Sequence, residues 1–388
     1  MKDFVLIGPD VPSQLEWTAR DAPGLGGSSD WHVRKITFQA GLAAGVDVIE
    51  VDNGKLKVCL LPTRGMGIWK MESAGIRVGW DAPAEYPVHP MYVNLASRNG
   101  LGWLDGFNEL LCRCGLSFNG PPGIDPDAAS PIESEITLHG QIANRPAEWV
   151  KLIVTEQGLS IRGLTREVTL FGPNLALETE YFLPADRAEL HLTDTVRNLA
   201  GRPAEMQLLY HINVGTPLLE AGSRWQAPCR AVYPRDPRAA EGLDTFQEFL
   251  GPTAGYAEQV YLCQLRGDEQ QRTTALLTNA AASSGFALDF DLNTLPCFSV
   301  WKNTQLEADG YCTGLEPGTN FPNFKAIERK NGRVVSIPAG GMWSTRMTLS
   351  VLKSAGEVEQ FQQRIAAIQH GETPVLQASQ AELTRGLE

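Results

Sequence analysis

The sequence predicts an all-β fold: antiparallel sheets joined by long loops, with one C-terminal helix. Three observations carry this. From Glu148 to His211 apolar and polar residues alternate, with turn residues recurring every ten positions or so. Asp52-Asn53-Gly54 separates two further alternating runs, a hairpin signal because Asn and Gly both tolerate positive φ. Helical periodicity surfaces only near the end, where Val358, Phe361, Ile365 and Ile368 share one face and Gly371 offers a stop.

Taken in order, residues 1–40 are expected to be a lead-in, rich in Gly and polar residues through Ala22 to Ser29, with Ser29-Asp30-Trp31-His32 opening the patterned region. The hairpin follows, and Thr63-Arg64-Gly65-Met66-Gly67 interrupts its second strand before Ile68 to Met71 resumes it. Residues 82–132 are dense in Pro and Gly yet aromatic, which predicts an ordered rim or lid over a site. A meander of five strands is expected at 149–155, 159–170, 175–183, 189–198 and 204–211. Residues 215–258 form a second irregular insertion, and strands return at 259–264, 274–278, 285–290, 298–301 and 342–351. Residues 355–370 are expected to be a peripheral amphipathic helix. No internal repeat, phosphate-binding loop or dinucleotide fingerprint occurs, and residues 1–388 read as a single domain.

Composition narrows the class. The 388 residues are 43% hydrophobic, ample for a large core. Lys and Arg number 33 against 45 Asp and Glu, a net charge of −12 that disfavours nucleic acid and anionic membranes as partners. The seven Cys show neither a disulfide framework nor metal spacing, which suits free thiols in a reducing compartment. The first residues lack the apolar run of a signal peptide and no run reaches membrane-span length, so a cytoplasmic protein is expected.

The chemistry centres on Tyr311 to Asn323. Glu316 precedes Pro317 and Gly318, and is expected extended, at a strand end, in front of a stiff loop. Two His are expected at strand ends as well: His139 before Gly140, with Asn144, Arg145 and Trp149 close behind, and His211 before Ile212-Asn213. A carboxylate and an imidazole titrate near enough to neutrality for one to take a proton while the other gives one. His139, His211 and Glu316 would also suit a metal by ligand type, although no helical metal motif accompanies them. Arg64, Arg98, Asp105, Asn108, Glu109, Arg113 and Lys302 are further candidate ligand contacts.

The order His139-Gly140, His211-Ile-Asn and Gly314-Leu-Glu316-Pro-Gly-Thr-Asn-Phe-Pro-Asn323 resembles the aldose 1-epimerase, or galactose mutarotase-like, superfamily over roughly residues 40–352, and most closely its divergent branch of unassigned function. The resemblance implies a β-supersandwich and a cofactor-free isomerase acting on a small carbohydrate. It implies Glu316 as general base on the anomeric hydroxyl, His211 as general acid on the ring oxygen and His139 as a sugar contact. Asn144, Arg145, Arg64, Asp105, Asn108 and Lys302 complete the expected substrate-binding set, in a monomer or homodimer. In the hexose-6-phosphate branch an Arg precedes the Asn of the His-Gly element; here Ala143 stands there and Arg145 follows Asn144. Two alternatives stay open: a carbohydrate-binding protein without turnover, and a glycoside hydrolase or lyase with Asp105 or Glu109 as a second acid.

Overall fold

The computed structural model describes residues 1–9, 11, 15–27 and 30–384. Among these, strands dominate and gather into two large antiparallel-rich sheets, one of nine strands and one of fourteen, with a minor two-stranded ribbon. The main hydrophobic core lies between them, drawing Leu152, Ile161 and Leu177 from the first and Leu208, Ile212 and Leu315 from the second.

Period-two patterning builds the nine-stranded sheet as expected. Ala147–Thr155, Gly158–Val168, Asn174–Pro184 and Glu189–Asn198 pair consecutively, and Glu189–Asn198 then pairs Met342–Leu352. Every second residue of Glu189–Asn198 is buried, the alternation expected of a sheet with one wet face. Helix Ala355–Gln369, capped by the Ser354 hydroxyl, packs Val358 and Ile365 against this sheet.

Four expectations need correction. The lead-in is not irregular: Lys2–Ile7 adds an edge strand beside Ala147–Thr155, and Leu15–Thr18 pairs His32–Thr37. Ser29 lies outside the described residues. The fifth meander strand, Ala204–Val214, leaves its neighbours and enters the fourteen-stranded sheet between Leu111–Leu116 and Cys312–Gly318. From Met206 onward it is buried on both faces, because one face meets the core and the other lies under the 94–144 loops. The 82–132 rim hides a central strand, Leu111–Leu116, and the 215–258 insertion contains Arg224–Gln226 and Cys229–Pro234. The hairpin forms with a longer loop than a two-residue turn: Asp52 pairs Lys57, and the Asn53 side chain accepts from the amides of Lys55 and Leu56.

Candidate active site

Glu316 and His211 do not end strands. Both sit inside them, on adjacent strands of the fourteen-stranded sheet. Glu316 pairs Ser299 on one side. On the other, the register Ile212↔Leu315 and Leu209↔Gly318 puts His211 directly opposite Glu316. The ladder lapses there, where Pro317 has no N–H to give. Strand alternation then decides orientation. Leu208, Tyr210 and Ile212 face the core, so Leu209 and His211 face the loops, and Glu316 joins them from its own strand. Gly314 makes room: a Cβ there would stand 2.4 Å from a Glu316 carboxylate oxygen.

The result is a buried acid–imidazole pair, His211 Nε2 to Glu316 Oε1 at 3.2 Å, with only 6% and 4% of each residue exposed. Asn213, also fully buried, fixes its protonation pattern. Its amide nitrogen donates to the carbonyls of Glu109 (2.9 Å) and His211 (3.3 Å), so its oxygen faces His211 Nδ1 at 2.6 Å. Nδ1 therefore carries a proton, and Nε2 is the nitrogen that exchanges one with Glu316. Burial pushes Glu316 up to about 8, the Glu258 carboxylate adding to the rise and Arg235 opposing it. Burial holds His211 down to about 4, against the opposing pull of Asn213 and Glu258. Across the range between, the pair holds one exchangeable proton, and burial favours its uncharged form.

His139 completes the group. It does not end a strand: the strand is Glu135–Ile136, and His139 sits in a left-handed turn at φ 55°. Gly140 follows at φ 76°, where a Cβ would come within 2.3 Å of the Gly115 carbonyl. That turn brings the His139 ring within 5.8 Å of His211, and Nδ1 is held 3.0 Å from the Asn119 amide oxygen. Burial, then His211, keeps its pKa well below the ordinary imidazole value, so it is a neutral contact with Nε2 as acceptor. Both Nδ1 atoms are thus engaged by amides, and among the described residues no group of three or more His, Cys, Asp or Glu is arranged to hold a metal ion.

These three residues line one cavity of about 590 Å³, within the range of small-ligand sites. Trp103 and Phe107 from the rim pack tilted against each other at 4.6 Å and roof the imidazoles, and Trp301 closes another side 5.5 Å from His211. Arg235 and Glu258 pair at 2.8 Å on the cavity wall, and the Trp301 indole donates to Glu258 at 2.6 Å. Neither Arg235 nor Glu258 was legible, because both lie in the second insertion with no spacing that marks them. The aromatic content of the rim and Trp301 were the readable signals.

The other expected contacts are elsewhere. Lys302 follows Trp301, so alternation turns it to the opposite face, where its ammonium is capped by the carbonyls of Thr245, Phe246 and Glu248. Arg64 is buried against Glu109 (2.5 Å), the Val88 carbonyl and Asn144 (2.9 Å), and so braces the backbone carbonyl that holds Asn213. Asn144 and Arg145 line a separate groove, Arg145 bonded to Gln141. Asp105 is paired with Arg98 at the exposed rim, and Asn108 donates to the Ala84 carbonyl. Arg113 lies between the sheets on Asp194. Of the two acids considered for hydrolysis, Glu109 is therefore spent on Arg64 and Asp105 stands off the cavity.

The Asn213 contact yields a test. Asn213→Ala is expected to lower turnover about ten-fold, the worth of one buried hydrogen bond, and to shift the acid limb of the pH profile further down. A change confined to thermal stability would make Asn213 a purely structural partner.

Comparison with known proteins agrees with the architecture. The profile of DUF4432, a domain of unknown function, matches residues 43–351. No curated protein matches significantly. A structure of a candidate aldose 1-epimerase from Klebsiella pneumoniae subsp. pneumoniae is 33% identical, covers 97% of this chain and 98% of its own, and superposes with a TM-score of 0.91. A galactose mutarotase-like protein from Clostridium acetobutylicum shares the fold at 13% identity over 83% of this chain and 98% of its own, TM-score 0.59. An aldose epimerase homologue from C. elegans does so at 13% over 80% of this chain and 100% of its own, TM-score 0.52. No described helix is long and apolar enough to cross a membrane. With its two stacked sheets and these relatives, the chain belongs to the DUF4432 family, a branch of the aldose 1-epimerase, galactose mutarotase-like superfamily.

Proposed function

We propose that this protein, acting as one mutarotase-like domain, interconverts the anomers of an aldose by acid–base ring opening, without a cofactor. The observation that carries the reading is the buried His211–Glu316 pair with one exchangeable proton, at the floor of a cavity of sugar size. Glu316 takes the proton of the anomeric hydroxyl as His211 delivers one to the ring oxygen. The C1–O5 bond breaks and C1 becomes an aldehyde. Rotation about C1–C2 presents its other face, and the reverse transfers close the ring. The pair holds one proton before and after each transfer, so no net charge accumulates in the buried site, where it would be costly. The reacting tautomer is the ion pair, reached from the uncharged resting form by moving the proton across the 3.2 Å contact. His139 accepts from a sugar hydroxyl through Nε2, and Trp103 and Trp301 offer faces to the carbon side of the ring.

The pH profile follows in sign. Below about 4 the pair gains a second proton and has no base. Above about 8 it loses its only exchangeable one and has no acid. Turnover is therefore expected to be bell-shaped between these limbs, as macroscopic values of the pair. Anomer exchange followed by NMR from pH 3 to 10 on a sugar panel tests the function and the profile together. Release of reducing sugar from glycosides without anomer exchange would replace this reading by hydrolysis.

A further inference from the structure

The segment that follows helix Ala355–Gln369 returns to the cavity. Val375–Leu376 adds a parallel edge strand to Cys229–Pro234, and the Gln377 amide donates to the Val232 carbonyl at 2.9 Å. Leu383 is buried with Tyr233, Val260 and Phe321, and Arg333 donates to its carbonyl at 2.6 Å. Pinned on both sides, the segment sets Gln380 in the same cavity wall as Asn323. It lies beyond residues 43–351, the stretch that the DUF4432 profile matches.

Neighbours fix which end of each side-chain amide is committed. The Gln380 nitrogen donates to the Arg235 carbonyl at 2.6 Å, and a carbonyl can only accept. The Asn323 nitrogen donates at 2.9 Å to Glu328, a carboxylate that Arg333 holds at 2.6 and 2.7 Å. Neither amide can turn over without setting oxygen against oxygen. Both oxygens are left over: that of Gln380 is buried with no partner, and that of Asn323 takes no hydrogen bond from the described residues. A buried acceptor without a donor is destabilising, and a ligand hydroxyl that donates to it offsets the cost. An ether, carboxylate or phosphate oxygen has no proton to give it.

We propose that Asn323 and Gln380 are specificity-determining residues of this cavity, their amide oxygens accepting from two hydroxyls of the aldose away from C1, an assignment that rests on the anomer-exchange reading of the same site. Gln380→Met keeps the side-chain volume and removes the acceptor. Wild type and variant are compared on hexoses of the gluco and galacto series, both enantiomers, and on their 2-, 3-, 4- and 6-deoxy forms. Anomer exchange by NMR and ligand-induced thermal stabilisation are read in parallel. For a parent hexose, Gln380→Met is expected to lower kcat/KM about ten-fold, mostly through KM, the worth of one hydrogen bond. One deoxy form should lose the same factor in wild type and nothing further in the variant, because hydroxyl and amide oxygen are then removed as a pair. Asn323→Ala should show the same coupling with a different deoxy form, and it carries the test if Gln380→Met does not fold. Losses that add strictly for every deoxy form overturn the assignment, since a merely structural change weakens all sugars alike. Coupled losses in stabilisation without anomer exchange overturn the anomer-exchange function and leave the two contacts standing. Neither exchange nor stabilisation with any sugar overturns both.

Discussion

Replacing Glu316 by Gln is expected to lower kcat for anomer exchange by about a thousand-fold, within the range that a positioned general base supplies. The amide is nearly isosteric and still fills the gap opposite His211, but it cannot take the anomeric proton. Folding should survive, since the carboxyl is already pushed toward its uncharged form by burial. The melting temperature is thus expected to stay level or rise. NMR exchange and thermal unfolding, measured on the same preparation, check both halves. Equal turnover in wild type and Glu316→Gln would remove the acid–base role, while retained sugar-dependent stabilisation without turnover in either would mark a binding protein.

The largest expected effect on stability lies at Arg113→Ala. Arg113 and Asp194 are fully buried between the sheets, with Nε–Oδ2 at 2.6 Å and Nη2–Oδ1 at 3.0 Å. Thr179 and Tyr210 each donate to Asp194 at 2.7 Å, and Arg113 also donates to the carbonyls of Gly65 and Met66. Removing the guanidinium leaves a buried carboxylate without its counter-charge and the Gly65 carbonyl without that donor, while the Met66 carbonyl keeps the Tyr181 hydroxyl. A loss of about 3–5 kcal/mol is expected by denaturant unfolding, as when one partner of a buried pair is removed. Arg113→Ala together with Asp194→Ala should cost less than the sum of the two single changes, because neither charge is then stranded. Strict additivity would mean that the two residues act independently.

The site was half legible, and the division has a physical basis. His139, His211 and Glu316, which line one cavity, are legible because each stands in a local pattern: His beside Gly, His within an apolar strand, Glu before Pro-Gly. Arg64 and Lys302 lie off the cavity for different reasons. Lys302 is adjacent to a true lining residue, and in a strand adjacency means the opposite face. Arg64 faces inward to Glu109, a partnership 45 residues away that nothing local announces. Glu258 and Arg235 were missed for the same kind of reason, since an insertion without period gives a side chain no predictable direction.

What the sequence by itself determined is the alternation of most of the central strands, the terminal helix and the candidate acid and imidazole residues of the site. These depend on short-range rules: period two, turn chemistry and side-chain type. Tertiary structure alone decided that Ala204–Val214 changes sheets, that it meets Cys312–Gly318 in a register placing His211 opposite Glu316, and that Asn213 holds the proton on Nδ1. A shift of one residue in that register would send the imidazole to the other face of the sheet. The proposed function depends on that long-range pairing, because two groups over a hundred residues apart share a proton only if the sheet brings them within a hydrogen bond.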